Sequence, residues 1–310
     1  MMHVLLNWLN RRQTSKETQR MFESLLSLAW IVEAKDPYTG GHLWRVSQLA
    51  HTVALADKWT HEDRAAVTLG GFLHDLGKVS VPDAILCKSG ALTDDEFDII
   101  KNHPTEGLYV LEGHPLTPIV KNAVGLHHER IDGRGYPNQL RGDDLPIDAK
   151  LIALCDAFDA MTSQRPYRKP MAKETAIELV EKNLDTQFDA ALGARFVALA
   201  RAGNFDTIIA HTDEGIPLHH CPTCGPTITQ YSTDKPGQFL HCPICLQQAE
   251  LIQKDNQYVL KPTGKKIPPA QQRRRPDMAL IRKIIHDTIR TIPVQSLLDR
   301  ANQSNEIKGA

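Results

Sequence analysis

Apolar residues return at helical spacing in three clear places along the first two thirds of the chain. They are Met21, Phe22, Leu25, Leu26, Leu28, Ala29 and Val32; then Val46, Leu49, Ala50, Val53 and Ala54; then Ala176, Ile177, Val180 and Leu184. Thr93 and Glu96, just ahead of Phe97, Ile99 and Ile100, have the spacing of a capping box and predict a further helix start. No stretch before about residue 205 alternates for long enough to predict a strand. Loops are expected at Asp36–Gly41, Lys88–Gly90 and Asp132–Pro146, where Gly, Pro and Asp gather. Beyond Gly203 the pattern changes to a Cys-, Pro-, Gly- and Thr-rich stretch with short strand-like pieces, Thr227–Thr229 and Tyr258–Leu260. Helical spacing returns at Ile281, Ile284, Ile285 and Ile289. The expected class is mainly α: an all-helical bundle, a small β module and a basic, partly helical tail. The expected divisions are an N-terminal helical segment over 1–21, a main domain over 22–205, a linker with a four-cysteine module over 206–262, and the tail over 263–310.

Composition narrows this little. The chain has 310 residues, 41% hydrophobic and 24% charged, with a formal charge of -1, which excludes a disordered chain, a rod and a polycation. The tail is the exception: its 48 residues carry ten Lys or Arg against four Asp or Glu. Such a run specifies no partner by itself. A solvated segment stands beside docking of Arg273–Arg275 and the following helix on a protein, with a membrane surface or nucleic acid as less favoured surfaces. The longest early apolar run, Leu25–Val32, spans eight residues, far short of a bilayer crossing. Asn7 and Asn10 interrupt the opening segment and Arg11–Arg12 follow it, unlike a secretory signal, so a cytoplasmic protein is expected. A homodimer is compatible with the sequence, which does not specify oligomeric state.

Cysteine and histidine change the picture. Cys221, Cys224, Cys242 and Cys245 form two C-x-x-C pairs with 17 residues between them. Four thiolates at that spacing are expected to close a tetrahedral structural zinc site, and a module of this size needs such a staple. Upstream, His42, His74–Asp75, His103, His127–His128 and Asp156 fall on or beside successive helices. Imidazoles with carboxylates suit first-row divalent ions. Five His and two Asp exceed what one catalytic ion takes but suit two ions sharing a bridging carboxylate, the usual arrangement for phosphodiester hydrolysis. Asp75 is the expected bridge. Lys78, three residues on, is expected on the same helical face, where a cation can hold a phosphate oxygen or protonate a leaving alkoxide.

Five segments carry a family resemblance: GGHLWRV at Gly40–Val46, FLHDLGK at Phe72–Lys78, HPTEG at His103–Gly107, HHERIDGRGYP at His127–Pro137, and CDAFDAMTSQRPYR at Cys155–Arg168. In this order the chain resembles an HD-GYP domain from about 22 to 205. That is the branch of the HD metal phosphohydrolases that cleaves cyclic di-GMP. The resemblance implies metal ligation by His42, His74, Asp75, His103, His127, His128 and Asp156, with iron or manganese as the expected ions. It implies that Lys78 contacts the scissile phosphate and that Tyr136, Arg165 and Arg168 bind the dinucleotide. The expected reaction is hydrolysis to pGpG or GMP through a metal-activated hydroxide. The alternatives are another cyclic dinucleotide, such as cyclic GMP-AMP, or a cyclic di-GMP receptor signalling through the cysteine module and tail. Some family members hold a third ion with a Glu four positions before the first ligand His. Tyr38 stands there, and Glu33 lies nine positions before His42, so two ions are expected. Arg45 is expected to be an ion-pair partner supporting the site, and Asp132 a loop cap. Asp159, three residues after Asp156, is not among the expected site residues.

Overall fold

The computed structural model describes residues 19–88, 90–164, 168–255, 257–272 and 275–289. Helix α1 covers residues 19–33. It is followed by α2 (His42–Ala56), α3 (His61–Leu73), a 3-10 turn (Leu76–Ser80), α4 (Asp83–Leu86), α5 (Asp94–Lys101), α6 (His103–Val110) and α7 (Thr117–Leu126). After a long loop come α8 (Ile147–Thr162), α9 (Lys173–Lys182) and α10 (Ala190–Arg201). The predicted capping box starts α5: Thr93 Oγ1 accepts from the Glu96 amide at 3.3 Å, and Glu96 accepts from the Thr93 amide at 2.8 Å.

The apolar faces legible in the sequence make one core. Phe22 and Leu26 of α1, Val46, Leu49 and Val53 of α2, and Leu69, Phe72 and Leu73 of α3 are all buried together. Helix α2 packs along α3, and α8 closes over α2. A cluster of Phe158, Phe196 and Phe205 fills the far end, with ring centroids 4.7–6.1 Å apart.

Among the described residues seven strands follow: β1 (His211–Asp213), β2 (Ile216–Pro217), β3 (His219–His220), β4 (Thr227–Ile228), β5 (Phe239–His241), β6 (Gln247–Lys254) and β7 (Gln257–Lys266). Strands β1 and β2 pair with each other, as do β3 and β4, and β5–β6–β7 form a three-stranded antiparallel sheet. Ala249 and Leu251 point inward at alternate positions of β6. A second small core gathers Cys221, Ile228, Leu240, Cys242 and Leu251. The tail helix α11 (Met278–Ile289) turns back onto the main bundle, where Leu280, Ile281, Ile284 and Ile285 join the first core. Its amphipathic stripe is thus covered by the same chain. Arg282 pairs with Glu23 of α1 at 3.2 Å, and Lys283 with Glu214 at 2.9 Å. No described helix is long and apolar enough to cross a membrane.

Candidate metal centre

Helix α3 ends at Leu73, and the chain tightens into the 3-10 turn at Leu76. His74 and Asp75 sit at this junction, both buried. The expectation of one continuous helical face is corrected in detail. In a 3-10 turn residues i and i+3 eclipse, and Lys78 Nζ comes to 2.6 Å from Asp75 Oδ2. The turn lies directly on α6. A Cβ at Gly77 would run into the His103 carbonyl and the Gly107 amide. Two glycines therefore let the turn approach close enough for Asp75 to reach His103.

Asp75 stands between two groups of histidines. Its Oδ1 is 3.4 Å from His103 Nε2; its Oδ2 is 3.5 Å from both His42 Nε2 and His74 Nε2. His42, His74 and Asp75 form one set of donor atoms, and His103, His127 and His128 another, each set lying within 4.8 Å. Asp156 joins the first set, with Oδ1 3.3 Å from His42 Nε2 and 3.9 Å from His74 Nε2.

The second nitrogen of four rings is held from behind. Nδ1 of His74 faces the Gly71 carbonyl at 2.8 Å, Nδ1 of His103 the Ile100 carbonyl at 2.7 Å, and Nδ1 of His127 the Ala123 carbonyl at 2.9 Å. Carbonyls only accept, so these Nδ1 atoms donate and the Nε2 lone pairs face inward. His42 is oriented by a carboxylate instead, Asp159 Oδ2, at 2.7 Å. The Nε2 atoms then meet at 3.2 Å between His42 and His74, and at 3.0 Å between His103 and His127. Nitrogens at that spacing share either a proton or a cation, and the donor set fits divalent metal ions of the borderline class.

The electrostatics of four of the rings agree. Burial lowers His103 to about 3 and His128 to about 4, and holds His74 and His127 down as well, so these rings stay neutral and able to ligate. Burial would raise Asp75, but Lys78 and the surrounding imidazoles keep it well below the usual carboxylate range. Asp156 is lowered too, by His74, His42 and His128 against the effect of burial. His42 goes the other way. Its burial is outweighed by the Asp159 and Asp75 carboxylates, which raise it to about 9.

Of the expected dinucleotide contacts, Tyr136 lies at the centre: its ring stacks on His128 with centroids 4.7 Å apart. Burial raises its hydroxyl, which stays protonated. Arg168 turns away, donating to the Ala160 carbonyl on α8, and its Nε is buried without a partner. Arg165 lies outside the described residues.

Three acidic residues that sequence reasoning left out complete the centre. Asp159 holds His42 and also the buried Arg45, whose Nε is 2.5 Å from Oδ1. Its position three residues past Asp156, on the same face of α8, was the available signal. Glu33 accepts from the amides of Leu43 at 2.8 Å and Gly41 at 3.3 Å, fixing the turn before His42. Glu129 accepts from the amides of Asn138 at 2.6 Å and Leu140 at 3.1 Å, anchoring the loop that carries Tyr136. Asp132 caps that loop, bonded to Arg130 and to the Arg134 amide.

Away from this centre the four cysteines converge, with Sγ atoms of neighbouring pairs 3.5–3.7 Å apart. Zn–S bonds of about 2.3 Å set a tetrahedron edge of about 3.8 Å, so the cluster is compatible with zinc. Burial would raise the Cys221 thiol, but the Thr223 and Cys224 amides bring it below the usual thiol range, while burial and the neighbouring thiols raise Cys224.

The family model described as "HD domain" matches residues 26–192. A "Probable cyclic di-GMP phosphodiesterase" of Vibrio cholerae serotype O1 is 38% identical over 192 residues, covering 56% of this chain and 44% of that protein. The "Cyclic di-GMP phosphodiesterase response regulator RpfG" of Xanthomonas campestris pv. campestris is 36% identical over 173 residues, covering 55% of this chain and 46% of that protein. A "3'3'-cGAMP-specific phosphodiesterase 3" of Vibrio cholerae serotype O1 is 36% identical over 176 residues, covering 56% of this chain and 37% of that protein. The chain spans less than half the length of these curated relatives.

Proposed function

The chain belongs to the HD domain family, and from that premise we propose that it is a metal-dependent phosphodiesterase that opens cyclic di-GMP, giving pGpG or GMP. The observation that carries this reading is the Asp75 carboxylate, with one oxygen toward His103 and the other toward His42 and His74. One ion would be held by His42, His74, Asp75 and Asp156, and a second by His103, His127, His128 and Asp75; of the first-row ions that these donors admit, iron or manganese are those the family resemblance implies. When bound, the two ions supply Lewis acidity to the phosphoryl group and lower the pKa of a water.

The chain's own groups do the rest. Lys78 sits beside the bridge, where its ammonium meets a non-bridging phosphate oxygen or gives a proton to the 3′-oxygen as the P–O3′ bond breaks. Asp75, held ionised by Lys78, keeps both oxygens available. Tyr136 offers an aromatic face to a guanine and a protonated hydroxyl as donor. Arg165 and Arg168 are the candidates for the second phosphate, which requires Arg168 to leave the Ala160 carbonyl. The four cysteines hold one structural zinc in a zinc-ribbon-like module. The proposed surroundings are the bacterial cytoplasm.

A second substrate has support from the relatives, because the Vibrio cholerae phosphodiesterase 3 is named as specific for 3'3'-cGAMP. Both are therefore offered to protein purified without oxygen and loaded with Fe(II) or Mn(II), with products resolved by chromatography. The expected result is conversion of cyclic di-GMP that is absent in Asp75→Ala. Conversion of cyclic GMP-AMP alone would move the reading to that substrate. Tight binding of cyclic di-GMP without turnover by fully loaded protein would move it to a receptor.

A further inference from the structure

We propose that the four-cysteine module is a fixed wall on the His42 side of the metal centre, so that zinc at the cysteines sets metal affinity at the His42–His74–Asp75 position. This rests on the two-metal reading above.

The module and the strand that leads into it touch the turn before His42, Arg45 and the end of α8. The first C-x-x-C knuckle is closed by the Gly225 amide donating to the Cys221 carbonyl at 3.0 Å and the Cys221 amide donating to the Pro226 carbonyl at 2.8 Å. The chain leaves this knuckle directly into β4, where the Thr227 amide donates to the Pro37 carbonyl at 2.8 Å. Pro37 begins the turn that delivers His42. The packing there has no slack: a Cβ at Gly40 would strike the Thr227 methyl, and one at Gly41 would strike Thr212. Gly41 also has φ +77°, a conformation other residues adopt only with strain.

Arg45 carries the second contact. One of its terminal nitrogens donates to the His211 carbonyl of β1 at 3.0 Å and to the Gly40 carbonyl at 3.1 Å. Its other two nitrogens grip Asp159, the carboxylate that orients His42. The third contact is at the end of α8, the helix of Asp156 and Asp159. There Gln164 Nε2 donates to the carbonyl of Gly225 at 3.1 Å.

The other ligand group has no such dependence. His103 and His127 are oriented by carbonyls of the helical bundle, at Ile100 of α5 and at Ala123 and Val124 of α7. Loosening the module should therefore affect one metal position and spare the other. Positioning groups behind a metal ligand typically alter affinity 10- to 100-fold.

The test is Mn(II) titration of the full chain, with free Mn(II) read by electron paramagnetic resonance, zinc content by elemental analysis, and helicity by circular dichroism. Wild type is compared with the zinc-free Cys221→Ser/Cys224→Ser chain, with Gly40→Ala, and with Gly40→Ala/Thr227→Ser, which removes the methyl that the new Cβ meets. One of two Mn(II) positions should weaken roughly tenfold or more in the zinc-free chain and in Gly40→Ala, with helicity kept. Gly40→Ala should keep its zinc, and Thr227→Ser should restore its affinity. Unchanged Mn(II) binding in the first two variants, or equal weakening of both positions, overturns the inference. A wild-type chain that binds fewer than two Mn(II) overturns it together with the two-metal reading. If wild type binds two Mn(II) but cleaves no cyclic dinucleotide, the enzymatic reading fails, and the asymmetric weakening still decides this one.

Discussion

Nδ1 of His42 lies 2.7 Å from Oδ2 of Asp159, and the same carboxylate is bound by the buried guanidinium of Arg45. One fully buried acid thus serves two partners. It fixes which nitrogen of His42 faces the centre, and it neutralises Arg45. Asp159→Asn keeps the shape but removes the charge. The expected outcome is a loss of about 3 kcal/mol of stability, since a buried ion pair broken on one side leaves the other charge uncompensated. Metal affinity should fall at least roughly tenfold. Chemical denaturation and metal titration of the variant check both.

Gly77 lies where the 3-10 turn meets α6. Gly77→Ala places a methyl against the His103 carbonyl and the Gly107 amide, and backbone cannot yield as a side chain does. The turn must shift away, drawing Asp75 from His103. Overpacking of this kind costs about 1–3 kcal/mol. Thermal unfolding should register that loss, and turnover should fall by more than stability alone explains. A variant with wild-type turnover and melting temperature would show that the close approach is dispensable.

Tyr136 tests substrate contact apart from chemistry. Its ring is stacked on His128, and stacking of a base on an aromatic face is worth about 1–3 kcal/mol. Tyr136→Ala should raise KM roughly tenfold, with a smaller change in kcat. Steady-state kinetics separate the two, and an unchanged KM would remove Tyr136 from the guanine site.

Glu33 gives a pH signature. Burial raises its carboxyl from 4.5 to about 7, against the amides of Leu43 and Gly41 and the charges of His42 and Arg45. The folded chain holds this proton more tightly than the unfolded one. Its contribution is therefore fully present below pH 4.5 and is lost as pH rises through about 7. Glu33→Gln cannot titrate, so the difference in stability between variant and wild type should drift in the variant's favour from pH 4.5 to 8. Denaturant unfolding of both proteins across that range measures the drift; parallel curves would contradict it.

The helices were legible because their burial is one-sided. The stripes at Met21–Val32 and Val46–Ala54 each had one face to hide, and periodicity records that directly. The histidines and acids of the centre were legible through their segment motifs. Asp159, Glu33 and Glu129 were not, because each acts on a partner far away in sequence or on a backbone amide. Apart from the spacing of Asp159 after Asp156, nothing local distinguishes a buried acid with such partners from a solvated one. Asp159 reaches back 117 residues to His42. The tail shows the same limit. Ile281, Ile284 and Ile285 announced an amphipathic helix, but what covers it, the bundle containing α1, is set by tertiary packing.

The central claim is that Asp75 joins two ions in one hydrolytic site. Metal-free protein titrated with Mn(II), with cyclic di-GMP hydrolysis followed at each equivalent, tests it most directly. Turnover should be negligible through the first equivalent, rise as the second binds, and be absent in Asp75→Ala at every ratio. Full turnover at one equivalent, or turnover that survives in Asp75→Ala, would contradict it.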